Sequence, residues 1–366
     1  MGFFSRLFRR TAETGSVRMK DVARRVTVLE TVPAAPAALV AGGVLPAGAT
    51  SLFRGWESDP ATLCLYDLRD VVLDRSLMVF LKDGKPLLET AYLQDPAAVA
   101  ALRIRPADVV QVPDQPGPVA ACFDHWDSNY YHWLSHTVPT LQALRATGHG
   151  AARLILPAGL RPWQAETLAL SGFDAHRSVL TEHGKQYAFR RVLYADYVRG
   201  AADFSVSPLS QAAYRSLGAG QPVTGPRDLR IFIERGAASN RKIPNEAELT
   251  AALQARGFVC VRPETLPVAE QIRLFNRARL VVGQLGAGIS NCVWCQPGTV
   301  VFELVAEHHQ NPCDLLLAMQ AGLQYWGKLM PTGQQEDNHT AQSEQPLDIA
   351  SVLQELEQIE AYLPPV

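Results

Sequence analysis

The sequence predicts an α/β protein, and three observations carry that reading. From Leu229 to Leu304, short apolar runs rich in Val and Ile alternate with helical patterns, the signature of a parallel sheet covered on both faces. Between Ala61 and Tyr92, Asp83 and Gly84 separate apolar runs, a strong signal for an antiparallel hairpin. Composition is globular: 47% of the 366 residues are hydrophobic and 19% charged, which excludes wholesale disorder.

The elements follow in order. Val71–Asp74 and Leu77–Phe80 read as strands before the Asp-Gly turn, with Leu87 and Leu88 after it. Val119–Cys122 reads as a short strand, followed by an aromatic-rich turn and a helix to about Ala146. Leu154–Pro157 has the look of a buried strand. Pro162 to Gly172 is helical, with Pro in the first turn and Gly past the end. Arg191–Tyr194 restores a strand. In the second half, Leu229–Ile233, Phe258–Val261, Leu280–Gly283 and Val300–Leu304 are strands. Asn245 is placed to cap a helix to Ala255, and Val268–Ala278 is the next helix. The Gly- and Pro-rich segment 217–226 divides the halves as a linker. The organisation expected is an extension over 1–60, α/β domains over 61–216 and 227–346, and a final helical segment over 347–366.

Lys and Arg number 34 against 36 Asp and Glu, a net charge of −2, so bulk capture of nucleic acid is not expected. Six Cys among apolar neighbours suit reduced core thiols and a reducing, cytoplasmic compartment. The uncharged run Val32–Ala49 contains three Pro and three Gly, so it is read as loop, not as a membrane span. Phe3, Phe4, Leu7 and Phe8 alternate with Arg6, Arg9 and Arg10 in a basic N-terminal end. That end is either a frayed terminus or a peripheral contact with an anionic membrane face.

Two stretches carry candidate chemistry. Gly283, Gly286 and Gly288 lie between a strand and a helix, where backbone amides can approach a phosphate. Their spacing is not that of the dinucleotide fingerprint, and close packing is the competing reading. Arg235 and Arg241 follow the first strand of this half and Glu303 lies in a later one, placed for a ribose at the sheet's carboxyl edge. The second stretch is His125–His136. His132 and His136 are four apart, but Trp133 stands where a zinc protease needs Glu, so no metal is assigned. Either the rings pack as core, or Trp126, Asn129, Tyr130, His132 and His136 wall a sugar site in which a His takes a proton. Cys292 and Cys295 are read as packing, since no second pair accompanies them.

Together these motifs resemble glycosyltransferase family 61. The resemblance runs from about Val71 to Trp326 and rests on Asn129–Leu134, Pro139, Ile231–Arg235, Arg241, Asn245, Glu246, Glu270, Gln271, Leu280–Asn291, Pro297, Gly298 and Phe302–Leu304. It implies a GT-B architecture, with two Rossmann-like domains around a cleft and a last helix that crosses back. It further implies an inverting transferase without a required cofactor or metal, using a nucleotide-sugar, UDP-linked, on a glycan or glycolipid acceptor of a bacterial capsular or surface polysaccharide. By position it assigns the donor to Arg235, Arg241, Gly286, Ala287, Gly288, Asn291 and Glu303. The base candidates are His132, His136 and Asp127, and Trp126, Asn129 and Tyr130 fall on the acceptor side. Two residues depart from the family pattern: Leu285 stands where His is usual, and His136 where an acid is common. These departures admit a second reading, a nucleotide-binding subunit that has lost turnover.

Overall fold

The computed structural model describes residues 16–37, 52–53, 55–114, 116–236, 243–331 and 345–363. The basic N-terminal end, most of the uncharged run after Val32 and Arg241 lie outside them. The chain divides into two units: residues 1–33 with 59–213, and residues 34–58 with 214–366.

The first unit is built on a nine-stranded mixed sheet. Its strands are β1 (Arg25–Val32), β2 (Ala61–Asp74), β3 (Val79–Lys82), β4 (Lys85–Pro86), β5 (Val109–Gln111), β6 (Val119–Ala121), β7 (Arg153–Pro157), β8 (Val179–Thr181) and β9 (Gln186–Ala195). The order β4-β3-β2-β9-β6-β7-β8 has β1 added beside β2 and β5 beside β9. Asp83 and Gly84 both take positive φ, 50° and 75°, the backbone that a two-residue hairpin turn requires. Long β2 pairs with β9 on one edge; on the other it pairs first with β1 and then with β3. Asp70, at φ 49°, marks the irregularity between those two pairings. The expected extension over 1–60 is therefore corrected: β1 belongs to the first sheet, and residues 34–58 group with the second unit. β6, β7, β8 and β9 are mutually parallel where they pair, so the loops after β6 and β9 emerge at the same edge.

The second unit holds an all-parallel sheet of β10 (Leu229–Ile233), β11 (Val259–Val261), β12 (Ala278–Gln284), β13 (Val300–Ala306) and β14 (Gln324–Met330). Its order is β11-β10-β12-β13-β14, a doubly wound sheet whose direction of growth reverses between β10 and β12. One face buries Phe232, Leu280, Val282 and Phe302 against Leu249 and Leu253, and also against Val352, Leu356 and Ile359 of the last helix, Ile349–Glu360. The last helix thus packs on the second unit's own sheet, correcting the expectation that it crosses back. Charge fixes it there: Arg230 pairs with Glu360 and Arg256 with Glu357, both at 2.8 Å, and Trp326 Nε1 donates to Glu355. The expected linker is also shortened, because the helix Pro208–Ala219 runs into it. Among the described residues no helix is long and apolar enough to cross a membrane.

Candidate functional site

In the first unit the chemistry gathers at the carboxyl ends of β6 and β9. Asp124 lies just past β6, Asp203 in the turns after β9, and Tyr92 after β4. Asn129 opens the helical segment that follows Asp124, its side chain accepting from the Tyr131 N–H at 2.9 Å as a cap does. Tyr130–His132 then runs through a π-helical turn, Trp133–Thr137, into Val138–Ala146. Pro139 accounts for that turn: its ring crowds the carbonyl four residues back, and the Val138 N–H reaches back five residues to Trp133.

This segment aims both histidines at Asp124. Asp124 Oδ2 accepts from His132 Nδ1 at 2.8 Å and His136 Nδ1 at 2.6 Å, while Oδ1 accepts from the Trp126 N–H at 2.7 Å. His136 Nε2 donates in turn to Asp203 Oδ1 at 2.7 Å, and the Tyr92 hydroxyl donates to Asp203 Oδ2 at 2.5 Å. Burial alone would lower the pKa of His136, which is 1% exposed, but Asp203 and Asp124 raise it to about 10. Burial likewise opposes the charge of Asp124, yet His136 and His132 hold its carboxyl below the ordinary carboxylate range. His136 is accordingly an imidazolium bridging two carboxylates. His132 spends Nδ1 on Asp124, and among the described residues nothing bonds its Nε2, the atom left for a proton. Burial pushes His125 down to about 4, Asp124 opposing and the other two His assisting.

The aromatic side chains surround this pair. Trp126, 47% exposed, stacks on His132 with centroids 5.7 Å apart, and Tyr130 packs edge-on against Trp163. Asp127 is separated from the cluster's proton chemistry by an ion pair with buried Arg75, and its carbonyl accepts from Gln164. Of the three base candidates, His132 alone retains an uncommitted nitrogen. The sequence reading missed Asp124, Asp203 and Tyr92. Asp124 adjoins the quoted motif and could have been included; Asp203 and Tyr92 join it only through the sheet.

Asp124 Oδ2 and ring nitrogens of His132 and His136 lie within 4.8 Å of one another, the composition of a two-His, one-carboxylate metal site. The spacing suits protons better. Contacts of 2.6 and 2.8 Å are hydrogen-bond lengths, shorter than the roughly 3.3 Å between tetrahedral ligands bound at about 2.0–2.1 Å.

In the second unit, the turn Leu285–Gly288 and Arg235 meet where the strand order reverses, at the carboxyl ends of β12 and β10. The Glu246 carboxylate accepts from the amides of Arg235 and Gly236 at 2.7 and 3.0 Å, which fixes the backbone just past β10. Arg235 then reaches the Leu285 carbonyl at 3.1 Å, lying so close over Gly286 that a Cβ there would overlap the guanidinium. Gly288 is packed as well: a Cβ would meet Ile233 at 3.0 Å. Gly286, Ala287 and Gly288 are part-exposed, and among the described residues none of their amides has a hydrogen-bond acceptor.

Four expectations are revised here. The helix after the turn is a 3₁₀ segment of six residues, Ile289–Trp294. Asn291 is buried within it, its amide donating to Gly288 O and its carbonyl accepting from Trp294 Nε1, so it braces the turn from inside. Glu303 lies mid-strand in β13, fully buried, accepting from the Tyr325 hydroxyl at 2.6 Å. That burial argues against the ribose contact expected of it. Asn245, expected as a cap, instead exchanges two hydrogen bonds with the backbone of Leu347. Cys292 and Cys295 are buried thiols, pushed up in pKa by burial, in keeping with packing.

Comparison with known proteins bears on both groups of residues. Residues 130–302 match the family model Glycosyltransferase 61. The matched segment contains His132, His136, Asp203, Arg235 and Gly286–Gly288 and begins after Asp124. Over 124 residues the chain is 30% identical to the EGF domain-specific O-linked N-acetylglucosamine transferase of Gallus gallus, covering 31% of this chain and 23% of that protein. The chain thus spans about a quarter of the length of the curated relative it matches. The family that the motifs resemble is thus the one whose model matches residues 130–302.

Proposed function

We propose that this chain transfers a sugar with inversion from a nucleotide-sugar, UDP-linked, to a hydroxyl of a glycan acceptor. The observation that carries this reading is Arg235 lying over Gly286 at the strand-order reversal, beside three consecutive amides without a described acceptor. Ligands of doubly wound sheets collect at that position, and a guanidinium beside consecutive amides suits a diphosphate. The acceptor hydroxyl would give its proton to His132 Nε2 while its oxygen attacks the anomeric carbon. The bond to the diphosphate breaks, and the nucleotide leaves with the electron pair. In this reading the cations of the second unit stabilise the leaving group, and no metal is required.

The GT-B arrangement and a role in bacterial capsular or surface glycan synthesis belong to the same proposal and rest on the family resemblance; a cytoplasmic site rests on six Cys among apolar neighbours, and peripheral membrane contact on the basic N-terminal end. The acceptor choice follows the bacterial branch, whereas the chicken relative is by its name specific for EGF domains. A panel of nucleotide-sugars, with glycan acceptors and an EGF domain as alternatives, tests donor and acceptor together. Transfer from a UDP-sugar that persists in chelator supports the reading. Activity lost in chelator and restored by manganese contradicts its metal-free part.

Two residues favour a second reading, a nucleotide-binding subunit without turnover. Leu285 is buried at 4% exposure where the family usually has His, and His136 has both nitrogens committed. Leu285→His discriminates: a large gain in transfer marks a weakened enzyme, and binding of UDP with no transfer in either form marks the subunit.

A further inference from the structure

The geometry points to His136 as a positioning residue: clamped between Asp124 and Asp203, it holds Asp124 against His132 Nδ1 and so leaves His132 Nε2 as the proton acceptor. This inference rests on the reading of His132 as the base, and it gives His136 a role other than the base its motif position suggests.

Counting donors fixes the protonation of the His136 ring. A carboxylate only accepts hydrogen bonds. Asp124 Oδ2 and Asp203 Oδ1 stand 2.6 and 2.7 Å from opposite nitrogens of one ring. A neutral imidazole has a single N–H, so it would turn a lone pair on one of the two carboxylates. With both nitrogens protonated every contact is satisfied, and a buried charge of one sign is set between two of the other. The ring is 1% exposed, and Tyr92 packs edge-on against it at 5.2 Å, so His136 has neither a free nitrogen nor a path to an acceptor.

The rest of the network is built around that ring. Tyr92 braces Asp203 through its hydroxyl, which burial and Asp203 keep protonated. Gly200, at φ 67°, lies against Tyr92 and Asp203 so closely that a Cβ would overlap both. Backbone and side chains from after β4, β6 and β9 therefore converge to fix one imidazole that faces no substrate. Its far nitrogen holds Asp124, and Asp124 sets which nitrogen of His132 carries hydrogen. A misassigned tautomer at a general base costs orders of magnitude in rate, which gives such a clamp its value. The groups facing His136 are Asp124, Asp203, Tyr92 and His132, with His125 behind Asp124.

The test uses the full chain with ring-labelled histidine and nitrogen NMR at mildly alkaline pH, His136→Gln serving to assign the signals. The expected spectrum has His136 with two protonated nitrogens and His132 with its proton on Nδ1 alone. In His136→Gln and in the gentler Asp203→Asn, His132 should become a mixture of tautomers. Transfer kcat should then fall roughly tenfold or more, with donor KM within about twofold. A singly protonated His136 in the wild type overturns the inference, as does an unchanged His132 tautomer in both folded variants. Broadening of the His132 and His136 signals by manganese also overturns it, because an ion would then occupy the place of the proton. Full transfer by His132→Ala overturns the base reading along with the clamp, whereas unchanged tautomers with an inactive His132→Ala overturn the clamp alone.

Discussion

The histidine cluster of the first unit and the glycine turn of the second handle charge in opposite ways. In the cluster, charge is answered within the protein: Asp124 takes three donors, and His136 is neutralised from both sides. Of the two imidazoles bound to Asp124, one ring nitrogen is left among the described residues, His132 Nε2. At the turn, the Arg235 guanidinium lies over Gly286, the first of three part-exposed residues whose amides have no described acceptor. The first arrangement is suited to moving one proton in a fixed direction, and the second to receiving an anion. A transferase needs both, since its acceptor must lose a proton as its donor releases a diphosphate.

The largest expected effect separates the two regions by rate. His132→Ala should lower transfer about 10²–10⁴-fold, the usual contribution of a general base, while UDP affinity stays within about twofold. Transfer rates paired with calorimetric titration check this. A parallel loss of UDP binding would mean that the two regions do not divide the work as described.

The next effect is on stability, and it asks whether the second unit stands on its own core. Leu356 is fully buried with Leu280 and Phe302, so Leu356→Ala should cost about 2–5 kcal/mol, read as a lower denaturation midpoint. The matching test of the first unit is pH. His136 has its pKa raised to about 10, above the roughly 6.5 of an unfolded His. Its contribution is therefore complete below about 6.5 and is lost as pH rises toward 10. Asp124 has a depressed pKa, so its contribution is present above about 3.9 and is lost as pH falls below that value. Burial lowers His125 to about 4, which adds a loss of stability as pH falls from about 6.5 toward 4. The melting temperature of the wild type should thus decline on both sides of neutrality, and His136→Gln should flatten the alkaline decline. An unchanged alkaline slope in that variant would remove the buried imidazolium.

How far the sequence could be read differs between the regions for a physical reason. Strand-helix alternation and a glycine turn are local patterns, so Arg235 and Gly286–Gly288 could be placed at one sheet edge from spacing alone. Their meeting at the reversal of strand order follows from the order β11-β10-β12-β13-β14, which alternation does not specify. The cluster is different. Tyr92, Asp124, His136 and Asp203 come from three separated segments, and only the parallel pairing of β6 with β9 brings Asp124 and Asp203 to the same end. No periodicity in the chain announces that pairing. Glu303 shows the opposite failure: position along a strand was legible, but its burial against Tyr325 depends on β14, where Tyr325 pairs with Val301, two residues before Glu303, a register that no local pattern announces. The last helix had helical spacing at Leu353, Leu356 and Ile359, which announces an apolar face without saying which sheet receives it.

The smallest expected effect on binding follows from that correction. Glu303→Gln should leave UDP affinity within about twofold and lower stability by about 1–3 kcal/mol, the cost of disturbing a buried hydrogen bond. A tenfold loss of UDP affinity would return Glu303 to the ribose and change the picture of the second unit.

The most direct test of the central claim is calorimetric titration of UDP into the wild type and Arg235→Ala. Removing a charge-assisted contact worth about 1.5–3 kcal/mol should weaken UDP roughly ten- to a hundredfold, with the heat-denaturation profile otherwise retained. Equal affinity in the two proteins would contradict the account, because the diphosphate would then bind somewhere other than the turn over which Arg235 lies.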